Sequence, residues 1–377
     1  MREIPFYKPL IDELEFTYIS EVLEGSKSSK IDQFEENAAK FIGAKHAVAT
    51  CNGTAAMHLA MCAIDMKRGD KFICSVNSAP TVAEVVRHFD AEPIFVDINT
   101  DDFNMDIAKL EQTLAKEAHK KLKGIFVSHV AGQPSDMNAI YELAKKYNIQ
   151  VVDDAISAFG ASYNGKKIGA LKSAISCFRF SHQIKYSIAG CGIMVMNDAE
   201  LYERAKLLIN HALVSNGWDK FGNLGYIYDV VDIGVKYDIN EINAAYVLGQ
   251  LAKIDKIIAR QKEIAAIYNK AFENCLNIKT PIAKREHIYT QYIIKVNKNR
   301  DKFARNLKEA GIFTGLHYIP LHLLSYYKIK YGLKVNDFPS ALANYQQILS
   351  LPIYAAMSDS DVEYVCDTVK KIAKNHV

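Results

Sequence analysis

Between His46 and Asn197 seven short apolar runs alternate with helical patterns, and no other feature of the 377-residue sequence narrows the fold as much. The runs are HAVAT (46–50), KFICSV (71–76), PIFVDI (93–98), GIFVSHV (124–130), IQVVDDA (149–155), AISCFRF (174–180) and IMVMN (193–197). Each is continuous rather than alternating, the pattern of strands buried on both faces. Stretches such as TAAMHLAMCAI, IAKLEQTLAKEA and MNAIYELAKKY lie between them and carry helical spacing. Strands interleaved with helices predict an α/β domain on a mostly parallel sheet. Ligands of such sheets sit at the carboxyl ends of the strands, so those ends are where chemistry is expected.

The chain exceeds a typical single core, and one large domain plus a smaller one is the natural expectation. A long helical region from Asn240 to Glu273 and a linker-like passage from Pro281 to Glu286 precede QYIIKV. Residues 1–240 are therefore expected to form the large domain, and residues 241–377 a long helix and a smaller C-terminal α/β domain. The net charge of +3 is too small to argue for nucleic acid or a membrane surface. No apolar run approaches the roughly 18 residues of a membrane span. MREIPFYKPL has no apolar signal core, which makes the cytoplasm the expected location. Seven scattered cysteines include no C-x-x-C pair, so neither a metal site nor a disulfide framework is expected. Cys191 stands apart from the rest because it lies in the turn AGCG.

Three places along this frame carry candidate chemistry. Asn52-Gly53-Thr54 ends one apolar run and opens a helix, where backbone N–H groups and a hydroxyl make an anion site suited to a phosphate. The plain alternative is an Asn-Gly turn with Thr54 as the helix N-cap, which needs no ligand. Asp153-Asp154 closes another run; one carboxylate could pair with a pyridinium, or both could be a solvated strand end. Lys185 follows in a loop-like segment, CFRFSHQIKYSIAGCGIMVMND (177–198). A carboxylate on a strand end and a lysine on a later loop is how a fold grips pyridoxal phosphate. The carboxylate keeps the pyridine nitrogen protonated, and the lysine holds the aldehyde as a Schiff base. His129 is placed like Asp154, and TGLHYIPLH (314–322) gathers two histidines and a tyrosine around a proline. A lone histidine such as His129 is more often a hydrogen-bonded structural group, and the loop reads equally well as packed structure.

Taken in order, these pieces resemble the DegT/DnrJ/EryC1/StrS sugar aminotransferases, which have the aspartate aminotransferase fold (fold type I). The resemblance covers nearly the whole chain. It runs through IPFYKP, IDQFEENAAKFIGAKHAVATCNGTAAMHLAM, AEPIFVDINTDDFNMD, VSHVAGQPSDM and VVDDAISAFGASYNGKKIGAL to GQLAKIDKIIARQKEIAAIYNKAF, TGLHYIPLHL and ILSLPIY. It implies pyridoxal phosphate as cofactor, a homodimer, and transfer of an amino group from glutamate to a nucleotide-linked keto-sugar. Such sugars enter surface polysaccharides or secondary metabolites. By position, Gly53 and Thr54 match the phosphate-binding turn, Asp154 the carboxylate on the pyridine nitrogen, and His317 and Tyr318 the segment that lines the sugar site.

Other positions depart from the family pattern. Ala79 stands where an aromatic side chain covers the cofactor ring, and Ser157 replaces a glutamine or histidine. Arg179 replaces the phosphate-contacting serine between two phenylalanines. Val235-Lys236-Tyr237-Asp238 replaces a motif whose asparagine reaches the neighbouring subunit's phosphate, and Ala189-Gly190-Cys191-Gly192 replaces a glycine turn. An ungapped match puts Ile184 in the Schiff-base register and Lys185 one residue beyond, which in an extended segment turns a side chain to the opposite face. Two readings stand. In one, Lys185 is the displaced catalytic lysine, and Arg179 and Lys236 replace lost phosphate contacts with charge. In the other, the fold is kept and Schiff-base catalysis is lost, leaving a cofactor-independent enzyme or a ligand-binding or regulatory protein. A third, a sugar dehydratase-like variant, is poorly matched because the nearest histidine, His182, lies two residues before Ile184.

Overall fold

The computed structural model describes residues 2–117, 120–180, 189–215 and 228–376. All seven expected runs are strands of one sheet. They are β1 (His46–Thr50), β2 (Lys71–Ser75), β3 (Glu92–Val96), β4 (Leu122–Ser128), β5 (Gln150–Asp154), β8 (Ile175–Arg179) and β9 (Gly192–Met196). Between β5 and β8 a small hairpin is formed by β6 (Ser162–Tyr163) and β7 (Lys166–Lys167). The sheet order is β1-β9-β8-β5-β4-β2-β3. Neighbours pair in parallel except β9, which runs antiparallel to both β1 and β8.

Continuous apolar runs work here because both faces of the sheet are covered. Ile73, Val127, Phe178 and Val195 enter one core, and Phe72, Phe126, Cys177 and Met194 the opposite one. Successive residues on a strand point to opposite faces, so alternation in space needs no alternation in polarity. Each fully buried large side chain contributes roughly 1.5–3 kcal/mol. Helix Gly53–Ala63 packs Ala56, Met57, Leu59, Ala60 and Met61 into the second core.

The expected long helix is two: Glu241–Ala252, capped by Asn240, and Ile254–Phe272, which meet at Lys253. The first buries Ala244, Val247, Leu248 and Leu251 in the large-sheet core. The second ends in a separate core, with Ile264, Tyr268 and Phe272 against Tyr292, Ile294 and Val365. That core lies on a second, antiparallel sheet, β12 (Ile278–Lys279), β13 (Tyr292–Val296) and β14 (Ile348–Leu351). A further antiparallel pair, β10 (Leu213–Ser215) and β11 (Tyr228–Val230), stands outside both sheets.

The passage Pro281–Glu286 has no regular secondary structure, yet it is pinned. Gln133 Oε1 accepts from the backbone N–H of Lys284 (2.7 Å) and Arg285 (3.1 Å), and Gln133 Nε2 donates to Ile282 O (3.1 Å). Arg285 also pairs with buried Asp102. Next to this contact Gly132 has φ +85°, and a Cβ there would fall 2.6 Å from Ile288 and 3.0 Å from Thr290 Oγ1. Only glycine lets the C-terminal part approach the end of β4 so closely. No helix among the described residues is long and apolar enough to cross a membrane.

Candidate active site

The carboxyl ends of β1, β4, β5 and β8 open on a cavity of about 610 Å³, closed on its other side by the C-terminal part and the N-terminal segment. Gly53, Thr54, Asp154, Ser157, Arg179, His317 and Tyr318 all line it. Residues far apart in the sequence are thus brought to one place by the topology.

The large-sheet wall carries the charge. Asn52 caps helix Gly53–Ala63, its Oδ1 accepting from Ala55 N–H at 2.9 Å, so the free N–H groups of the first turn face the cavity mouth. The turn is held from behind: Gly192 packs so close that a Cβ would fall 2.2 Å from Asn52 O. The aliphatic stem of Arg179 lies over Gly53, where a Cβ would come 3.1 Å from Arg179 Cβ. The side chain thus starts over the helix N-terminus, and the charge of its guanidinium is felt by Asp154, His317 and Tyr318.

Asp154 is buried at the end of β5, and its Oδ2 accepts from Ser128 Oγ at 2.8 Å. Burial pushes its carboxyl above the usual range, opposed by Ser128, His129 and Arg179. Asp153 points to the other face, accepting from Ser173 Oγ (2.8 Å) and Ser176 Oγ (2.5 Å). The two adjacent carboxylates are therefore not equivalent: Asp154 serves the cavity and Asp153 is satisfied in the fold. His129 is buried, its Nδ1 accepts from Ser135 N–H (3.1 Å), and its Nε2 lies 3.6 Å from Asp153 Oδ1 without a hydrogen-bond partner.

The opposite wall is neutral and polar. His317 Nδ1 is 2.8 Å from Ser350 Oγ, and the ring stacks on Phe6 with centroids 5.7 Å apart. Burial, then Arg179, hold its pKa down to about 4, so the imidazole is uncharged at neutral pH. Tyr318 donates its backbone N–H to Asn77 Oδ1 (3.4 Å), and burial raises its phenol. Thr290 Oγ1 donates to Ser157 O at 2.7 Å, tying the two walls together.

One expected residue, Lys236, stands apart from this arrangement. Lys236 lies on the surface, with its Nζ 3.0 Å from Asn210 Oδ1 and from Asp238 Oδ2. Its segment does touch the phosphate-type turn, because Cys51 N–H donates to Tyr237 O at 2.7 Å. Lys185, with Ile184 and His182, lies outside the described residues. Cys191 is buried and burial raises its thiol, which keeps it protonated and inert. Ala79 lines the cavity but offers no ring to cover a ligand. Sequence reasoning missed Gln291, Thr290, Ser128, Phe6 and Tyr7 as cavity residues. The motifs IPFYKP and QYIIKV held three of them, Phe6, Tyr7 and Gln291, without any local pattern to say which way they face.

A charged wall at strand ends facing a neutral polar wall, on this sheet order, defines the class of the chain. Residues 9–370 match the DegT/DnrJ/EryC1/StrS aminotransferase family, and the chain belongs to it. Its fold is the aspartate aminotransferase fold, type I. The spore coat polysaccharide biosynthesis protein SpsC of Bacillus subtilis is 33% identical, covering 98% of this chain and 97% of its own. The UDP-4-amino-4-deoxy-L-arabinose–oxoglutarate aminotransferase of Shewanella sediminis is 30% identical, covering 99% and 98%. Among solved structures, Spr1654 of Streptococcus pneumoniae in its PMP-form superposes with a TM-score of 0.91 over 100% of both chains at 25% identity.

Proposed function

We propose that the chain binds pyridoxal phosphate in this cavity and transfers an amino group to a nucleotide-linked keto-sugar, in surface-polysaccharide or secondary-metabolite sugar synthesis, as a homodimer in the cytoplasm. The observation that carries this reading is the convergence of Asp154, the Gly53–Thr54 helix start and Arg179 on one wall, with His317 and Tyr318 across from them. The residues present fit the cofactor at both ends. The helix N-terminus and Arg179 would hold its phosphate, and Asp154 would hold a proton on its pyridine nitrogen. When bound, pyridoxal phosphate supplies the electron sink that lets an amino group move between an amino acid and a ketone. Neutral His317 and Tyr318 would orient the sugar by hydrogen bonds, and Lys185 would carry the proton at the reacting carbon. Lys236 would reach the phosphate of the neighbouring subunit. The relative that acts on a UDP-linked amino sugar supports a nucleotide handle.

One observation favours a second reading, in which the fold is retained without covalent catalysis. Ala79 leaves the cavity without a ring to cover a cofactor, and Arg179 alone makes the site a receptor for anions. A single experiment separates the two. Under the first reading, purified protein mixed with pyridoxal phosphate gains a visible absorbance band, borohydride bleaches it, and mass spectrometry finds the pyridoxyl group on Lys185. Neither band nor adduct would sink the first reading and leave the second.

A further inference from the structure

Buried polar atoms normally find partners, and an orphan in a folded chain calls for an explanation. Among the described residues, three side chains that line the cavity each leave one buried polar atom unpartnered: His129 Nε2, Arg179 Nε and Gln291 Oε1. The first two are donors, since His129 Nδ1 accepts from Ser135 and an arginine Nε always carries its proton. Gln291 Oε1 is the acceptor. Gln291 is only 9% exposed and cannot swing out to water. On one side Thr290 Oγ1 is bonded to Ser157 O. On the other, Tyr292 is paired with Leu351 in the C-terminal sheet, and its hydroxyl donates to Asn269 Oδ1 at 2.7 Å.

The surroundings narrow what the orphan is for. The side chains of Gln291 and Ser157 both donate to the phenol oxygen of Tyr318, so the Gln291 amide nitrogen is engaged and its Oε1 is the end left bare. A bare acceptor beside a group that both donates and accepts matches an alcohol, which needs one partner of each kind. A carboxylate or phosphate would meet Oε1 as a like dipole. An ammonium group presents three donors and would leave two of them without partners at a single acceptor. We propose that Gln291 is a specificity-determining residue, its Oε1 accepting a hydrogen bond from one ring hydroxyl of the sugar while Tyr318 completes that hydroxyl's pairing. This rests on the cavity being the sugar site. It adds the statement that one particular hydroxyl is read, and by a residue on the C-terminal wall.

The test pairs a protein variant with ligand variants. Binding of UDP-glucose and its four monodeoxy analogues is measured by calorimetry on wild type and on Gln291→Met, which keeps the shape and removes the acceptor. Wild type should bind one analogue at least about 10-fold more weakly than UDP-glucose, because a site built to pair a hydroxyl rejects the ligand lacking it. In Gln291→Met that penalty should vanish while the other three analogues keep their ranking. Ligand-free Gln291→Met should melt within a few degrees of wild type, since removing an unpaired buried acceptor offsets the lost amide hydrogen bond to Tyr318. Unchanged discrimination in the variant overturns the proposal and leaves the sugar site standing. So does a drop of several degrees in the ligand-free melt, which would make Gln291 a structural tether. If wild type binds no UDP-sugar, the sugar-site reading fails first and the proposal falls with it.

Discussion

The two walls of the cavity are built from different chemistry. The large-sheet wall places a guanidinium, a helix N-terminus and a buried carboxylate within one site. The C-terminal wall offers an uncharged histidine, a protonated tyrosine and an amide. Charge grips an anion strongly but discriminates little among anions. Neutral groups in fixed positions add less binding and most of the selectivity, because a buried polar atom that loses its partner is costly. On the proposed function, the large-sheet wall would serve the invariant part of the chemistry and the C-terminal wall the variable part.

Four substitutions probe that division, the largest effect first. Asp154→Asn should weaken pyridoxal phosphate binding roughly 10- to 150-fold, the range of a charge-assisted hydrogen bond. Burial raises the Asp154 carboxyl, so the folded state holds the proton longer than the unfolded chain. The ionised group therefore costs stability as pH rises above the unfolded value near 3.9, and that cost persists at pH 7. The cofactor-free Asn variant should accordingly melt no lower than wild type at pH 7, with any advantage gone in acid. A lower melting temperature at pH 7 would assign Asp154 to the fold instead.

Arg179→Ser, which restores the family's residue, should cost about 10-fold in pyridoxal phosphate affinity and flatten its salt dependence. If affinity rises, Arg179 blocks the phosphate rather than holding it. On the neutral wall, His317→Gln should act mainly through pH. The histidine pKa is held near 4 against about 6.5 in the unfolded chain. The unfolded state thus binds the proton first, and stability falls as pH drops from about 6.5 toward 4. The variant's melting temperature should change less over that range and match wild type's pH trend above pH 7. Lys236→Ala should have the smallest effect, under about 5-fold on cofactor affinity, as expected of an exposed cation. Sedimentation should find the same dimer in both proteins; a monomer would remove Lys236 from the site altogether.

Much of the frame was legible because its signals are local. IMVMN and HAVAT read as buried strands from their own composition, and the Asn52–Thr54 turn marked the helix start, although the cap is Asn52 and not the expected Thr54. The cavity's large-sheet wall was legible for the same reason: strand ends are sequence features, and ligands gather there. For the Asp153–Asp154 pair the residues alone left the choice open and the resemblance pointed to Asp154; the partners Ser128 for Asp154 and Ser173 and Ser176 for Asp153 give the physical reason. Gln291 was invisible. Its neighbours in the cavity come from distant parts of the chain, and a glutamine before a strand has no pattern of its own. The break at Lys253 was missed because apolar spacing continues across it.

The sequence by itself determined the α/β frame, the position of the anion turn and the carboxylate at a strand end. Continuous apolar runs and capping residues act within a few residues of themselves. Only the tertiary structure decided how Asp153 is satisfied away from the cavity, that Arg179 lies over Gly53, and that Gln291 lines the cavity with Tyr318. Those facts depend on strand pairing and on how the C-terminal part closes over the sheet, through contacts such as Thr290 with Ser157 that no local pattern encodes.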